Sequence, residues 1–192
     1  MNRKGFTLIE ILAVIIILGV IMTVAVPNVL SMIDRNKKDT FIEHAKMMAT
    51  QAEYTIRKDT SIKYPSENNA IILTLEYLNT NDVSESPYGT MYNKSRSFVA
   101  IVNKTTGGVT EYKYYVHLVA CGNDNCDEKI SGINLTDVNE LSGTSGRFNK
   151  VVTGTEVETE YTYLSGNNLI VSDSISTVIE STSIEKKYYE RS

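Results

Sequence analysis

Glu10 lies four residues into the apolar run FTLIEILAVIIILGVIMTVAV, which extends from Phe6 to Val26. A carboxylate near the centre of a membrane-spanning helix carries an insertion cost of about 3 kcal/mol. Outside a watery site it needs a partner. Arg3 and Lys4 precede the run and nothing basic lies inside it, so the first two turns offer no obvious counter-charge. A second pair of reactive side chains, Cys121 and Cys126, stands in CGNDNCDEK. In an extracytoplasmic head these two can close a small disulfide loop over turn-forming Gly, Asn and Asp; two free thiols are the other reading. The acidic and amide oxygens of NDNCDE do not follow the calcium-loop spacing. Two cysteines without a nearby histidine pair make a poor zinc site.

Catalytic sets are missing from the sequence. His44 and His117 neighbour no serine or cysteine in a nucleophile motif, and His117 in YYVHLV reads as a strand-surface residue. There is no phosphate loop and no dinucleotide fingerprint. The expectation is a protein that is not an enzyme and needs no cofactor or metal. The formal net charge of -4 argues against a grip on nucleic acid through phosphate neutralisation.

The elements that must position these residues fall into three parts. MNRKG is short and basic. Residues 6–26 are long enough to span a bilayer core as a helix of roughly 30 Å. Pro27 removes one helical hydrogen bond without having to end the helix. Helical period then continues to Lys58, with Leu30, Ile33, Phe41, Ala45, Met48, Ala52 and Ile56 near one face. Met47 and Met48 read as core packing.

Past residue 60 the vocabulary is strand and turn. AIILTLEYLN leans to helix, with Asn68 or Asn69 as cap. SPYG is a turn. Strands are expected at SFVAIVN, VTEYKYYVHLVAC, RFNKVVTG, EVETEYTYLS and LIVSDSISTVIEST. TTGG joins the first two as a hairpin, SGNN is a further turn, and IEKKYYERS is a frayed end. Partial alternation in TEYKYYVHLV predicts a strand with one covered face. The fold class is α+β: a long N-terminal helix, half membrane-embedded and half amphipathic, packed on an antiparallel sheet. The domains are a leader over 1–5, the helix over 6–58 and a β-rich head over 59–192.

Three readings of the N-terminus compete. A secretory signal peptide finds a passable site at Thr23-Val24-Ala25, but the apolar run is too long for it. A plain anchor explains the length and not Glu10. The third is a resemblance: KGFTLIEILAVIIILGV is similar to the N-terminus of type IV prepilins and pseudopilins.

The resemblance implies cleavage between Gly5 and Phe6 by a prepilin peptidase, followed by N-methylation of Phe6. It implies that Glu10 of one subunit meets the Phe6 amine of the next, with Thr7 at the same site or bonded to its own helix. It matches Gly19 and Pro27 to the residues that loosen the helix in a filament. Arg3 and Lys4 against Arg35, Lys37 and Lys38 leave orientation open by charge alone; the resemblance places the leader in the cytoplasm.

The implied function is a pilin-like structural subunit for adhesion, motility or related surface roles. It is stored as a single-pass protein in the bacterial plasma membrane and then packed into a surface filament. The implied partners are further copies, other pilins, the peptidase, an inner-membrane platform protein and an assembly ATPase. A minor pilin or a pseudopilin of a secretion or DNA-uptake apparatus would share this N-terminus. A membrane-anchored binding domain that never polymerises is the reading of another class.

Overall fold

A computed structural model of the chain describes residues 5–60, 62–65, 70–78, 80, 83–143, 146–158, 163–164 and 168–169. Two compact units emerge, one through Lys37 and one from Lys38 onward. Helix α1, Leu8–Lys58, contributes to both. Ala, Met, Lys, Glu and Gln favour it over 41–58, its N-terminal half is rich in the less helix-prone Ile and Val, and Arg57 and Lys58 complement the dipole in its last turn. Gly19 and Pro27 do not interrupt it. Around Pro27, Thr23 Oγ1 donates to the Val20 carbonyl at 2.7 Å and Asn28 Nδ2 to the Val24 carbonyl at 3.0 Å.

In the first unit every described residue through Asn36 is exposed, including Leu30 and Ile33. The expected stripe therefore begins packing later than its period suggested. Leu30 and Ile33 extend the exposed apolar surface of the N-terminal segment, and the buried positions run from Phe41 to Ile56, with Ile42 and Ala49 joining them.

The second unit is built on a wholly antiparallel six-stranded sheet. Its strands are β1 (Ala70–Thr74), β2 (Met91–Tyr92), β3 (Phe98–Thr106), β4 (Val109–Cys121), β5 (Ser131–Asp137) and β6 (Val151–Thr153). The order is β1-β3-β4-β5-β6, with β2 pairing the end of β4. The TTGG hairpin is present: Thr106 faces Val109 across Gly107 and Gly108, both at positive φ, where glycine carries no Cβ penalty. The SPYG turn is also present, with Gly89 at φ 79.

Several expectations are corrected. AIILTLEYLN starts as β1, paired with β3, and only Leu75–Leu78 is helical (α2). β1 is four-fifths buried and fills a sheet position, so tertiary pairing overrides its helical lean. RFNKVVTG opens as a 3-10 turn, Arg147–Lys150, before β6. Its Arg147 is bound to Asp39 of α1 at 2.8 Å. In EVETEYTYLS, Glu156 belongs to a 3-10 turn, and among its described residues only Tyr163–Leu164 is strand; residues 159–162 and 165 lie outside the described residues.

That pair (β7) bonds Asn168–Leu169 (β8) across SGNN. The remainder of LIVSDSISTVIEST, the C-terminal IEKKYYERS, and Asn68 and Asn69 lie outside the described residues. SGINLTD forms β5, which the sequence pattern did not reveal, and Val138–Leu141 (α3) comes after it, capped by Asp137. The β4–β5 register shifts between Val116 and Leu118, and Ile133 joins the main core while Leu135, two residues on, packs against a separate apolar cluster.

β4 corrects the one-face expectation. From Tyr115 to Cys121 it is buried on both sides. One side joins Phe41, Ile42, Ala45 and Met48 of α1 in the main core, through Val116, Leu118 and Ala120. The other side carries separate apolar clusters. A strand covered on both faces reads as a continuous apolar run, and VHLVAC is such a run.

Candidate functional site: the N-terminal end of the long helix

Gly5 and Phe6 precede the first turn of α1 and are exposed; Phe6 retains 84 % of its surface. A Cβ built on Gly5 would meet nothing within 4 Å. The peptide bond between them is thus open backbone ahead of the helix.

Thr7 and Glu10 are brought together. Glu10 Oε2 accepts from the Thr7 backbone N–H at 2.8 Å and from the Thr7 hydroxyl at 2.8 Å. The Glu10 N–H reaches Thr7 Oγ1 at 3.4 Å. This is a capping box: Thr7 as N-cap, Glu10 three residues later, each side chain satisfying the other's backbone donor. The positive end of the helix dipole adds to the preference for a carboxylate there. Thr7 is a hydrogen-bonding partner and brings no counter-charge. The signal was legible, since TLIE fits the S/T-x-x-E pattern. Both contacts use Oε2, and among the described residues none bonds Oε1.

The cap does not deal with the rest of the segment. α1 has a window of mean hydropathy 2.9, none of it buried within the chain. Phe6 to Ile33 spans roughly 40 Å at the helical rise, more than a bilayer core of about 30 Å. Gly19 has no neighbour within 4 Å and leaves a notch in this surface.

Cys121 and Cys126 are bonded, with their Cα atoms 4.9 Å apart. Both are buried beside Val119 and Val157; only the loop residues between and after them are exposed. The two cysteines are thus buried, while the loop that they close is exposed. Asn123 and Asp127 bond each other within the loop, and Asn93 Nδ2 donates to the Asp124 carbonyl at 3.3 Å. Among the described residues no group of three or more His, Cys, Asp or Glu is placed to hold a metal.

The histidines are engaged in packing. His44 Nδ1 and the Tyr92 hydroxyl hydrogen-bond at 2.9 Å, and burial lowers the His44 pKa. His117 is fully buried rather than on the strand surface, because the second face of the sheet is covered. Its ring lies 5.3 Å from that of Phe98. Burial drives its pKa down to about 3, against hydrogen bonding with the Ile133 and Glu158 backbone, so it is neutral in the folded protein.

No curated protein and no solved structure gave a significant match to this chain. A family model did match its N-terminal segment, over the residues that carry the capped glutamate and the open Gly5–Phe6 bond. Residues 1–26 match the model described as the prokaryotic N-terminal methylation motif, which is similar to the class III signal peptide of type IV pilins.

Proposed function

We propose that the chain is a structural pilin subunit. It is inserted by its apolar helix, cut between Gly5 and Phe6, methylated on the new Phe6 amine and packed helix against helix into a surface filament. The observation that carries this reading is the combination at one helix end: an open Gly5–Phe6 bond, a capped Glu10 and an apolar segment with no cover of its own. Cleavage would leave Thr7 N–H and its bond to Glu10 in place. Oε1 is then the oxygen that would receive the Phe6 ammonium of a neighbouring subunit. A hydrogen-bonded ion pair offsets much of the cost of each charge in an apolar setting and fixes register more than it adds stability.

The bonded Cys121–Cys126 pair supports a head on the oxidising side of the membrane. The role is structural rather than catalytic in this reading. Energy for assembly would come from an ATPase and platform protein, with the peptidase and other pilins as further partners. Gly19 and Pro27 would let the helix give up bonds once packed, a change the isolated chain has no reason to make.

The test is Glu10→Ala in cells that display the filament. The expected outcome is chain cut at Phe6, retained in the membrane and at least tenfold depleted from the sheared surface fraction. Normal filaments from that variant would contradict the role given to Glu10.

A further inference from the structure

β4 has a strand along the whole of one side and along only part of the other. β3 pairs with it from Val109 to His117, whereas β5 meets it only from Tyr115 onward. Among the described residues no strand lies on the β5 side of Val109–Tyr114. Val109 to Tyr112 are exposed there, and Lys113 and Tyr114 are half-buried. In a two-residue hairpin the closing pair, here Thr106 and Val109, exchanges its hydrogen bonds, and every second residue along the strand does the same. Tyr112 and Tyr114 therefore turn N–H and C=O away from β3, toward the open side. A row of such groups is a template for another strand.

The charges along this edge select which strand can add. Glu111 and Lys113 flank Tyr112 and share one face of β4 with Tyr115. Across β3, Glu111 faces Lys104 and Lys113 faces Val102, so Lys113 has no carboxylate opposite it within the sheet. Edge charges of this kind turn away most incoming strands. A second copy of the same edge, antiparallel about a two-fold axis at Tyr112, is the exception. It sets Glu111 of each chain opposite Lys113 of the other. These are non-hydrogen-bonded positions, where opposed side chains come closest, with Cα atoms about 4.5 Å apart. Tyr112 meets its own copy at a hydrogen-bonded position. A slip of two residues either way keeps the bonding groups aligned but sets Glu111 against Glu111 or Lys113 against Lys113, which like-charge repulsion disfavours.

The other face of the edge is prepared for the same contact. Tyr112 lies against Tyr64, ring centroids 4.6 Å apart, and the two keep 37 % and 38 % of their surface. Hydrogen bonds with Arg57 and Tyr114 hold Tyr64 in place. The two-fold axis brings the Tyr112 rings of the two copies side by side. Tyrosine gives a large contact area for little lost conformational freedom, and an ordered ring loses less still.

We propose that the N-terminal half of β4 is a homotypic docking edge, through which two copies of the head pair antiparallel with Tyr112 on the axis and Glu111 opposite Lys113. The contact is isologous, so it joins chains in twos and does not propagate. It is small, which makes the pairing weak and reversible. This inference is independent of the reading of the N-terminus: it needs neither cleavage at Gly5–Phe6 nor contact through the apolar helix.

The experiment uses two full-length variants in detergent, Glu111→Cys and Lys113→Cys. Neither position is buried, so neither substitution threatens the core, and the native cysteines are already bonded to each other. In a dimer of the two variants the new thiols stand directly opposite, within the Cα range of a disulfide, and one Glu111–Lys113 pair is retained. In a dimer of either variant with itself the thiols lie on a diagonal, beyond that range. Mild oxidation of an equal mixture is expected to give at least tenfold more disulfide-linked dimer than either variant alone. Mass spectrometry should place the new bond between positions 111 and 113. Equal yields from the mixture and the single variants would mean chance collision. No linked dimer would leave the edge to another occupant; either result overturns the proposal.

Discussion

α1 holds two regions of the same helix with opposite fates. From Leu8 to Ile33 its apolar residues circle the axis and none is buried; from Phe41 to Ile56 a stripe of Phe41, Ile42, Ala45, Met48, Ala49, Ala52 and Ile56 is buried, while Met47, expected in the core, and Tyr54 are exposed. Phe6 keeps 84 % of its surface and Phe41 none. Charges differ in the same way. Asp39, near the start of the second region, is bound by Arg147 from a distant part of the sequence, whereas Glu10 is bound by Thr7 three residues away. The difference is where cover comes from: the second region finds it in cis, and the first finds none among the described residues.

Substitutions that remove cover should therefore act on the head in the second region and leave it alone in the first. Phe41→Ala is expected to cost the head about 3–5 kcal/mol in denaturant unfolding. Leu18→Ala, in the exposed region, should leave that unfolding unchanged. Equal losses from the two would erase the distinction.

Next in size is the disulfide. Replacing both Cys121 and Cys126 by alanine should cost about 2 kcal/mol, as expected for so short a loop. The loss should be confined to the head, leaving membrane association as it was.

A pH scan sharpens the contrast further. His117 titrates near 3 when folded and near its ordinary 6.5 when unfolded, so the unfolded chain binds the proton first as pH falls. Stability is full above about 6.5 and declines from there toward 3, by at most about tenfold in the folding constant per pH unit. His44, also lowered by burial, adds in the same direction. His117→Gln should flatten the slope, read from urea midpoints between pH 7 and 4.5. The smallest effect belongs to Asp39→Asn, about 0.5 kcal/mol for a half-exposed ion pair.

The same division explains what could be read in the sequence. The apolar run, the amphipathic period to Lys58, the TTGG hairpin and the strand VTEYKYYVHLVAC are local patterns, and all appear in the structure. The Thr7–Glu10 pair was written as T-x-x-E and needed only its capping meaning. Features that depend on distant partners were hidden. AIILT turned to strand because β3 was there to pair with it, and SGINLTD has only Ile133 and Leu135 as large apolar residues, too short an alternation to announce a strand. His117 looked like a surface residue because nothing local announces that a second face is covered. Leu30 and Ile33 fit the stripe by period but have no sheet above them.

The central claim is that the exposed region of α1 is the processed, assembling end of a pilin subunit. Intact mass with N-terminal fragment ions, on protein extracted from cell envelopes, tests it most directly. The account predicts a chain that begins at Phe6 and carries one added methyl group. A chain that still begins at Met1 would contradict it and leave a plain anchor, and one that begins at Val26 would make the whole segment a discarded secretory signal.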